Sequence, residues 1–430
     1  MGDISIPKGA TAKLGRVEGD LRVGQGARAE SEGAIIEVTG RVICEGEAEF
    51  QGSLSCSEFS ARGAWGVGGK IKILGDLKAS GEVRVENGQL SIDGSLDAAS
   101  VNIDKALWVG GNARADDFDV GGVLEVRGNI MGRKVDVGGS FKVQGAADVD
   151  EVDVGGSVDI AGLVRCSQLD VGGMARIGGG EVSKDVDVGG KFESTKPLKF
   201  SKIDVGGLAT LGEGGEGGDV DVGGKFESRA DLSFNSLDVG GLASINGNGR
   251  GVEVDVGGLL RVSGSLTLEK DLDIGGRAYV GAELRLDSLE VGGSMEADQI
   301  VARKSIEVGG DLKTVKGAKG DSVELGHGSR TMGPIVARIV SVGHGGKVED
   351  VYADKLELEH GSRARNLYFR EGEIEAGVHI EGEVLYTDRI ESSPDVRFAK
   401  QPSRVNELPK PPLRNCSPSN GHGWTSTQRF

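Results

Sequence analysis

The sequence is short of the residues that mark secreted and membrane-spanning proteins. Its four cysteines, Cys44, Cys56, Cys166 and Cys416, lack the paired spacing of a disulfide scaffold, which indicates a reducing compartment. The N-terminus has no apolar signal segment, and no apolar run is long enough to cross a bilayer. From these absences we expect a soluble, cytoplasmic protein.

Basic residues are also in deficit. The chain has 50 Lys and Arg against 67 Asp and Glu, which gives a formal net charge of −17 at pH 7. A body with this charge repels nucleic acid, so we expect no nucleic-acid partner. The charged fraction of 27% and the many Val, Leu and Ile residues argue against a disordered chain.

Glycine is abundant, with 75 residues in 430. Between residues 121 and 325 an apolar–Asp/Glu–apolar–Gly-Gly phrase returns every 17 residues, with a single step of 18. A period this strict predicts a repeat architecture. The first residues of these glycine pairs are Gly121, Gly138, Gly155, Gly172, Gly189, Gly206, Gly223, Gly240, Gly257, Gly275, Gly292 and Gly309.

Within each repeat, apolar residues fall in three pairs with a spacing of two, which is the spacing of inward side chains on a short β-strand. Three short strands and three corners close one triangular coil. The sequence therefore predicts an all-β fold, a single-stranded parallel β-helix solenoid of about 17 residues per rung and about 20 rungs. In the repeat that starts at Gly138 the apolar residues are Phe141, Val143, Ala147, Val149, Val152 and Val154.

The prediction divides the chain into three segments. Residues 1–17 are short, polar and broken by Pro7, and are expected to form a flexible N-terminal arm. Residues 18–391 form the β-helix. Residues 392–430 hold six of the nine prolines and are expected to form a disordered tail, whose positive charge offers a second place for protein partners.

An acidic residue precedes the last apolar residue of each repeat and points outward. Stacking places these like charges about 5 Å apart, which is unfavourable unless something offsets the repulsion. The favoured interpretation is structural: each carboxylate caps the N–H groups of the following glycine corner. The residues are Asp119, Asp136, Asp153, Asp170, Asp187, Asp204, Asp221, Asp238, Asp255, Asp273, Glu290, Glu307 and Glu324.

The alternative for this acidic row is a ladder of divalent cations. The repeat does not match the calcium-binding nonapeptide, because both the order of residues and the period differ. The candidate ligands are Asp136, Asp153, Asp170, Asp187, Asp204, Asp221, Asp238 and Asp255.

Three histidines, His327, His344 and His360, recur close to the repeat spacing beyond the strict phrase. Stacked imidazoles could bind a metal. No second ligand type accompanies them in the motif, so the favoured interpretation is a solvated surface corner.

An enzyme is the least favoured class. Some β-helices act on polysaccharides through a localised pair of acids, whereas the acids here form a uniform row. The three tryptophans, Trp65, Trp108 and Trp424, lie too far apart along the repeats to line one cleft. We predict no catalytic residue, no cofactor-binding residue and no cofactor.

The repeated phrases Gly19-Asp20-Leu21-Arg22-Val23 and Gly94-Ser95-Leu96, in coils of 17 residues over residues 18–391, resemble those of the bactofilins, the polymer-forming cytoskeletal proteins. The resemblance implies a right-handed β-helix that stacks end to end into filaments without nucleotide. It also implies a scaffold for other proteins, often at a membrane, although this chain shows no membrane anchor. The chain departs from the family in having roughly three times the usual number of rungs.

The ends of a β-helix expose unpaired backbone and apolar rungs. No amphipathic capping helix is evident at either end of the repeats, so we expect the protein to assemble with itself there. The residues expected at these ends are Leu21, Val23 and Val42, and Ile374, Val384 and Leu385. The alternative is a monomeric binding module whose acidic face takes a protein or divalent cations.

Overall fold

The computed structural model describes residues 2–62 and 69–412, which form two compact units. One unit comprises Met1–Gly251 with Asp255–Gly257, and the other comprises Val252–Val254 with Gly258–Phe430. Among the described residues every regular element is a β-strand, and the strands pair in parallel. Each unit is a β-solenoid with about 17 residues per turn, so the predicted fold class is confirmed.

The strands follow the chain from Ile4 to Arg404. Through the less regular N-terminal turns, strands β1 to β16 are Ile4–Ile6, Thr11–Leu14, Arg16–Val17, Leu21–Gly24, Ala27–Val38, Val42–Glu45, Ala48–Cys56, Phe59–Arg62, Gly69–Ile73, Leu77–Ala79, Glu82–Glu86, Gly88–Ile92, Leu96–Asp97, Ser100–Ile103, Ala106–Val109 and Ala113–Arg114. Through the strict repeat, strands β17 to β35 are Asp117–Val120, Val123–Val126, Ile130–Val137, Ser140–Val143, Ala147–Val154, Ser157–Ile160, Val164–Val171, Met174–Ile177, Gly180–Val188, Lys191–Ser194, Leu198–Val205, Leu208–Leu211, Gly215–Val222, Lys225–Ser228, Leu232–Ser233, Ser236–Val239, Leu242–Ile245, Gly249–Gly251 and Glu253–Val256. Strands β36 to β52 are Leu259–Val262, Leu266–Leu268, Asp271–Ile274, Arg277–Leu286, Ser288–Val291, Ser294–Ala302, Ser305–Val308, Leu312–Lys319, Ser322–Leu325, Thr331–Met332, Ile335–Val342, Lys347–Leu358, Arg363–Ile374, His379–Ile380, Val384–Ser392, Arg397–Phe398 and Ser403–Arg404.

The register of the strands shows three sides in each turn. Strands β10, β11 and β12 pair in parallel with β13, β14 and β15 respectively, so each strand meets the one three places later. Where two sides meet without a break, as in β19 and β21, one longer strand covers both. The three-sided coil expected from the paired apolar positions is thus what the backbone forms.

The core is a stack of inward side chains. All six apolar residues of the repeat that starts at Gly138, from Phe141 to Val154, are at most 2% exposed. Each packs on its equivalent in the turns above and below, because the parallel register places Phe141 opposite Leu124 and Val158. Burial of these stacked side chains is the main favourable term in folding.

The β-helix predicted over residues 18–391 is too short at both ends. Residues 4–17, expected to be a flexible arm, instead form β1, β2 and β3, which pair with β4 and β5. At the other end β51 and β52 pair with β49 and β50, so the solenoid reaches Arg404. Residues 413–430 of the predicted tail lie outside the described residues. The two additional stretches help to explain why the count is about 23 turns rather than about 20.

The physical reason for the error at residues 4–17 is that short strands need only a partner ladder. Pro7 and the polar residues fall at a corner between β1 and β2, where they break no hydrogen bond of the ladder. The inward residues Ile6, Leu14 and Val17 are buried against the second turn. A polar composition therefore concealed an alternating pattern that the stack makes stable.

The sequence contains a longer repeat that the single-turn spacing does not reveal. Residues 191–224 and 225–258 share the pattern Lys-Phe-Glu-Ser at their starts, so within residues 191–258 the repeating unit is two turns. Large and small inward residues alternate along it: Phe192 and Phe226 are fully buried, and Ala209 lies in register between them. Alternation lets the rings of one turn occupy the space that the next turn leaves.

Glycine pairs allow one turn to approach the next. A Cβ built on Gly155 would lie 2.6 Å from the carbonyl oxygen of Gly138. The backbone at these pairs does not adopt a positive φ, so close approach, and not left-handed geometry, explains the glycines. In the described residues no helix is long and apolar enough to cross a membrane.

Candidate functional site

The acidic row forms as predicted, as a line of outward carboxylates stacked turn on turn. Asp136 lies in register with Asp119 and Asp153, and the register continues through Asp170. In the second unit Asp273, Glu290, Glu307 and Glu324 continue the same pattern in the order of the chain. Lysines on the same strands offset part of the charge, at Lys134–Asp136 (3.4 Å) and Lys202–Asp204 (3.5 Å).

The predicted capping role of these carboxylates is wrong. The N–H of Gly138 donates to the carbonyl of Val120, and the N–H of Gly155 donates to that of Val137, both at 3.0 Å. The glycine corner thus finds its partner in the backbone of the preceding turn. The stacking direction supplies an acceptor that the local sequence could not show, so these N–H groups do not need a carboxylate cap.

The cost of this arrangement appears in the pKa values of several carboxyl groups in the row. Partial burial, followed by the neighbouring Asp187 and Asp153, raises the pKa of Asp170. Partial burial and neighbouring acids likewise raise the pKa values of Asp221 and Glu307. The row therefore stores like-charge repulsion at neutral pH.

The cation ladder stays a prediction. Adjacent carboxylates of the row are in register, but each turn contributes one acid to it. In residues 2–62 and 69–412 there is no group of three or more His, Cys, Asp or Glu side chains that could hold a metal ion.

The three histidines stack at one corner, which we call the histidine corner. The ring centroids of His344 and His360 are 5.4 Å apart with an angle of 8° between the planes, and His327 lies 6.2 Å from His344. The glycine after each histidine, at 328, 345 and 361, has a φ near +70°, which L side chains rarely adopt. The same corner recurs at Gly377, a turn that lacks the histidine.

Carboxylates of the following turn hold the histidine corner in place. Glu359 accepts the N–H of His344, and Glu375 accepts the N–H of His360, both at 2.8 Å. Asp395 accepts the N–H of Gly377 at 2.9 Å. Capping by acids of an exposed corner therefore occurs here and not along the acidic row. This agrees with the favoured interpretation of a surface corner.

A pair of stacked tyrosines, which the sequence did not indicate, lies on another side of the same turns. The rings of Tyr352 and Tyr368 are 4.7 Å apart at their centroids, and Val336 and Leu385 extend the line in register. Burial raises the pKa values of both phenols. The pair packs apolar surface on the outside of the coil, and the carboxylate of Asp350 lies close enough to both phenols to add to the rise in their pKa values.

The six residues predicted at the ends of the solenoid lie within it. Leu21 pairs with Ile4 on one side and Val42 on the other, so a turn lies beyond it. Leu21, Val23 and Val42 are fully buried. The outermost strands at this end are β1, β2 and β3.

At the C-terminal end the same correction applies. Ile374 and Val384 are 1% exposed, and Leu385 pairs with Ser403 of β52. The last turn carries the partly exposed Phe398 and Val405. The self-assembly surface predicted from sequence therefore moves outward by one turn at each end.

The remaining predicted features add no chemistry. Cys44, Cys56 and Cys166 are free and buried, and burial raises the pKa of Cys56 and of Cys166 to about 12. Trp108 is half-buried beside Ser91 and Glu125, whereas Trp65, Trp424 and Cys416 lie outside the described residues.

Comparison of this chain with family models, with curated proteins and with solved structures found no significant match.

Proposed function

We propose that the protein is a non-enzymatic structural scaffold of the bactofilin kind, which associates with itself through the terminal turns of its solenoid into oligomers or filaments without nucleotide. The observation that carries the proposal is the outer edge of the first turn, where no strand among the described residues pairs with β1 on the side away from β4. The acidic row supports it, because its carboxylates recur at the same position of successive turns, whereas β-helix enzymes that act on polysaccharides use a localised pair of acids.

The geometry of β1 defines that edge. Ile4 donates its N–H to the carbonyl of Asp20 at 2.9 Å, so Ile4 and Ile6 bond towards β4. In a parallel ladder alternate residues face opposite ways, so Ser5 directs its N–H and C=O away from the solenoid. Such an edge is a template for another strand.

The two ends differ in how well they are protected. Proline cannot donate to a ladder and blunts an edge. The last turn and the chain that follows it hold Pro394, Pro402, Pro409, Pro411 and Pro412, whereas Pro7 is the single proline in the first turn. The N-terminal edge is therefore the stronger site for a second copy.

The test is the variant Ser5→Pro. The ring removes the outward N–H and obstructs a docking strand, while the inward residues and the bonds from β1 to β4 stay in place. We expect wild-type protein to form oligomers or filaments by light scattering and electron microscopy, and Ser5→Pro to reduce the mean mass at least severalfold.

Ser5→Thr is the matched control, because threonine keeps the N–H and favours strands. It should assemble as the wild type does. A wild-type protein that stays monomeric at about 100 μM, a concentration at which interfaces of modest affinity are occupied, would defeat the proposal.

A further inference from the structure

A column of alternating charge runs along one side of the first unit. Its members are outward residues at the same position of five successive turns, and the register aligns each with the next. We call it the charge column: Asp148, Arg165, Glu181, Lys199 and Glu216. The signs run negative, positive, negative, positive, negative.

The charge column is open to a partner. All five residues are exposed. Within the described residues none of their side chains makes an ion pair or a side-chain hydrogen bond. Turns are about 4.8 Å apart, so a partner with opposite charges at this spacing would match the column.

Beside the column one turn is recessed. Val164 pairs with Gly180 and Asp170 pairs with Asp187, so the corner before Gly180 is one residue short of the regular repeat and the strand regains that residue afterwards. Gly179 and Gly180 leave this corner without side chains. This corner, which we call the recess, opens into a groove of about 580 Å³ that spans five turns and is lined by all five residues of the charge column. The side chain of Leu163, 55% exposed in the preceding turn, also lines the groove.

The charge column, Leu163 and the recess together form a self-complementary surface under one two-fold symmetry. A two-fold axis along the strands, midway between the turns of Arg165 and Glu181, sets two copies face to face with their solenoids antiparallel. Arg165 then faces Glu181 of the second copy, and Asp148 faces its Lys199. Leu163, in the turn of Arg165, faces the recess in the turn of Glu181.

Other arrangements fit less well. A two-fold axis along the solenoid sets each charge opposite its own copy, which is repulsive. A parallel shift by one turn pairs opposite charges but leaves the contact open, so it does not close into a dimer. Moving the antiparallel axis by one turn towards Lys199 also pairs opposite charges, Arg165 with Glu216 and Glu181 with Lys199, but it places Leu163 opposite Gly214 and not opposite the recess.

We propose that this face binds a second copy of the chain, side by side and antiparallel, in the register that pairs Arg165 with Glu181. The contact is lateral, so it goes beyond the end-to-end association proposed above and does not depend on it. Such a dimer would contain two copies whose solenoids run in opposite directions, so it would have no polarity along the solenoid axis.

The test uses charge exchange in the full chain carrying Ser5→Pro, so that association at the N-terminal edge is suppressed. Arg165→Glu alone sets a carboxylate opposite Glu181, and Glu181→Arg alone sets a guanidinium opposite Arg165. We expect each to lower the dimer association constant at least tenfold in 50 mM NaCl by sedimentation equilibrium. The double variant should restore it to within about threefold, because the exchanged charges again face each other with opposite signs.

Rescue by the double variant identifies the register. In the parallel arrangement, or with the axis one turn away, the exchange creates new like-charge contacts and does not rescue. Mixing the two single variants should also yield a heterodimer. Leu163→Asp should weaken the dimer in every background, because it places a charge in the recess.

The matched control is Arg176→Glu. Arg176 belongs to another alternating column, with Lys142 and Asp159, on a different side of the same turns. Its reversal should leave the dimer unchanged. Dissociation by Arg176→Glu but not by Arg165→Glu, failure of the double variant to rescue, or a monomer at all concentrations to about 100 μM would each overturn the proposal.

Discussion

Single residues are constrained in this protein mainly by the turn that lies above or below them. The glycine pairs are the clearest case, because from Gly138 onward the paired glycines lie over glycines of the preceding turn. The acidic row is a second case, because the N–H groups of Gly138 and Gly155, which Asp136 and Asp153 were expected to cap, bond instead to backbone carbonyls of the preceding turn. Neighbours along the chain mattered less than neighbours across the stack.

Gly155→Ala tests the close approach of turns. The added methyl group would meet the carbonyl oxygen of Gly138 at 2.6 Å, and backbone cannot move aside without disturbing the ladder. We expect a loss of about 1–3 kcal/mol in the local free energy of opening, as for overpacking elsewhere. Hydrogen exchange of amides in residues 138–171 would measure it.

Gly33→Ala is the control for that change. A Cβ at Gly33 meets nothing within 4 Å, and its φ is not positive. We expect no loss of protection, because alanine reduces the freedom of the unfolded chain. Equal effects of the two substitutions would show that contact between turns is not the reason for the glycine pairs.

Among the strands, pairs of turns act together. Phe200 in β27 lies in register with Gly217 in β29, and a Cβ on Gly217 would meet the ring at 2.5 and 2.6 Å. Phe234 occupies the equivalent place beside Gly251 in the next two turns. Within residues 191–258 the structural unit is therefore the double turn.

A double-mutant cycle at Phe200 and Gly217 tests that coupling. Phe200→Ala should cost about 3–5 kcal/mol by leaving a cavity. Gly217→Val should cost about 1–3 kcal/mol, because the added Cβ meets both the ring and, at 2.4 Å, the backbone carbonyl oxygen of Phe200. Together they should cost about 1–3 kcal/mol less than the sum, because valine fills the space that the ring vacates, while the contact with the carbonyl oxygen remains. Urea unfolding followed by circular dichroism gives the four values.

Additive costs would contradict the double-turn interpretation. A matched control pair is Phe200→Ala with Ala209→Gly, since these residues are not in register and should not couple.

Across the whole molecule, charge opposes folding at neutral pH. The net charge is −17, and the acidic row concentrates part of it. Raised pKa values at Asp170, Asp221 and Glu307 mean that the folded state binds these protons more tightly than the unfolded state. Their contribution is destabilising at pH 7 and is relieved as pH falls through the raised values.

Three other carboxyl groups have lowered pKa values, so they stabilise the folded state and lose this contribution on acidification. Hydrogen bonds from Lys304, Arg338 and Arg365 hold the pKa values of Asp287, Asp321 and Asp350 below the ordinary range. Their contribution is present above the ordinary carboxyl pKa of about 4 and is lost as pH falls below it. The melting temperature should therefore rise between pH 7 and about 4.5 and fall below about 3.5.

Asp170→Asn tests whether the acidic row causes this dependence of the melting temperature on pH. We expect a higher melting temperature at pH 7 and a smaller rise on acidification, because one member of the row no longer titrates. Asp159→Asn is the control: Lys142 and Arg176 flank Asp159 in register, so its removal relieves no repulsion. A melting temperature that falls steadily from pH 7 to 4.5 would contradict the account.

The sequence by itself determined the architecture. The strict period and the paired apolar residues predict which side chains point inward, and the regularly spaced glycines predict where one turn approaches the next. Each of these signals depends only on residues close together in the chain. The histidine corner was predictable for the same reason, because a short motif at a fixed step must stack on itself. The pairing of turns was also visible in the sequence, at twice the basic spacing.

Only the tertiary structure decided which groups satisfy one another across turns. The glycine N–H groups bond to the backbone of the preceding turn, the first and last turns extend past the strict repeat, and a single missing residue before Gly180 opens a recess beside Leu163. These outcomes depend on register between segments about 17 residues apart. A shift of one residue in the register between two turns changes which backbone group or surface each residue contacts, while the local pattern of the sequence stays the same.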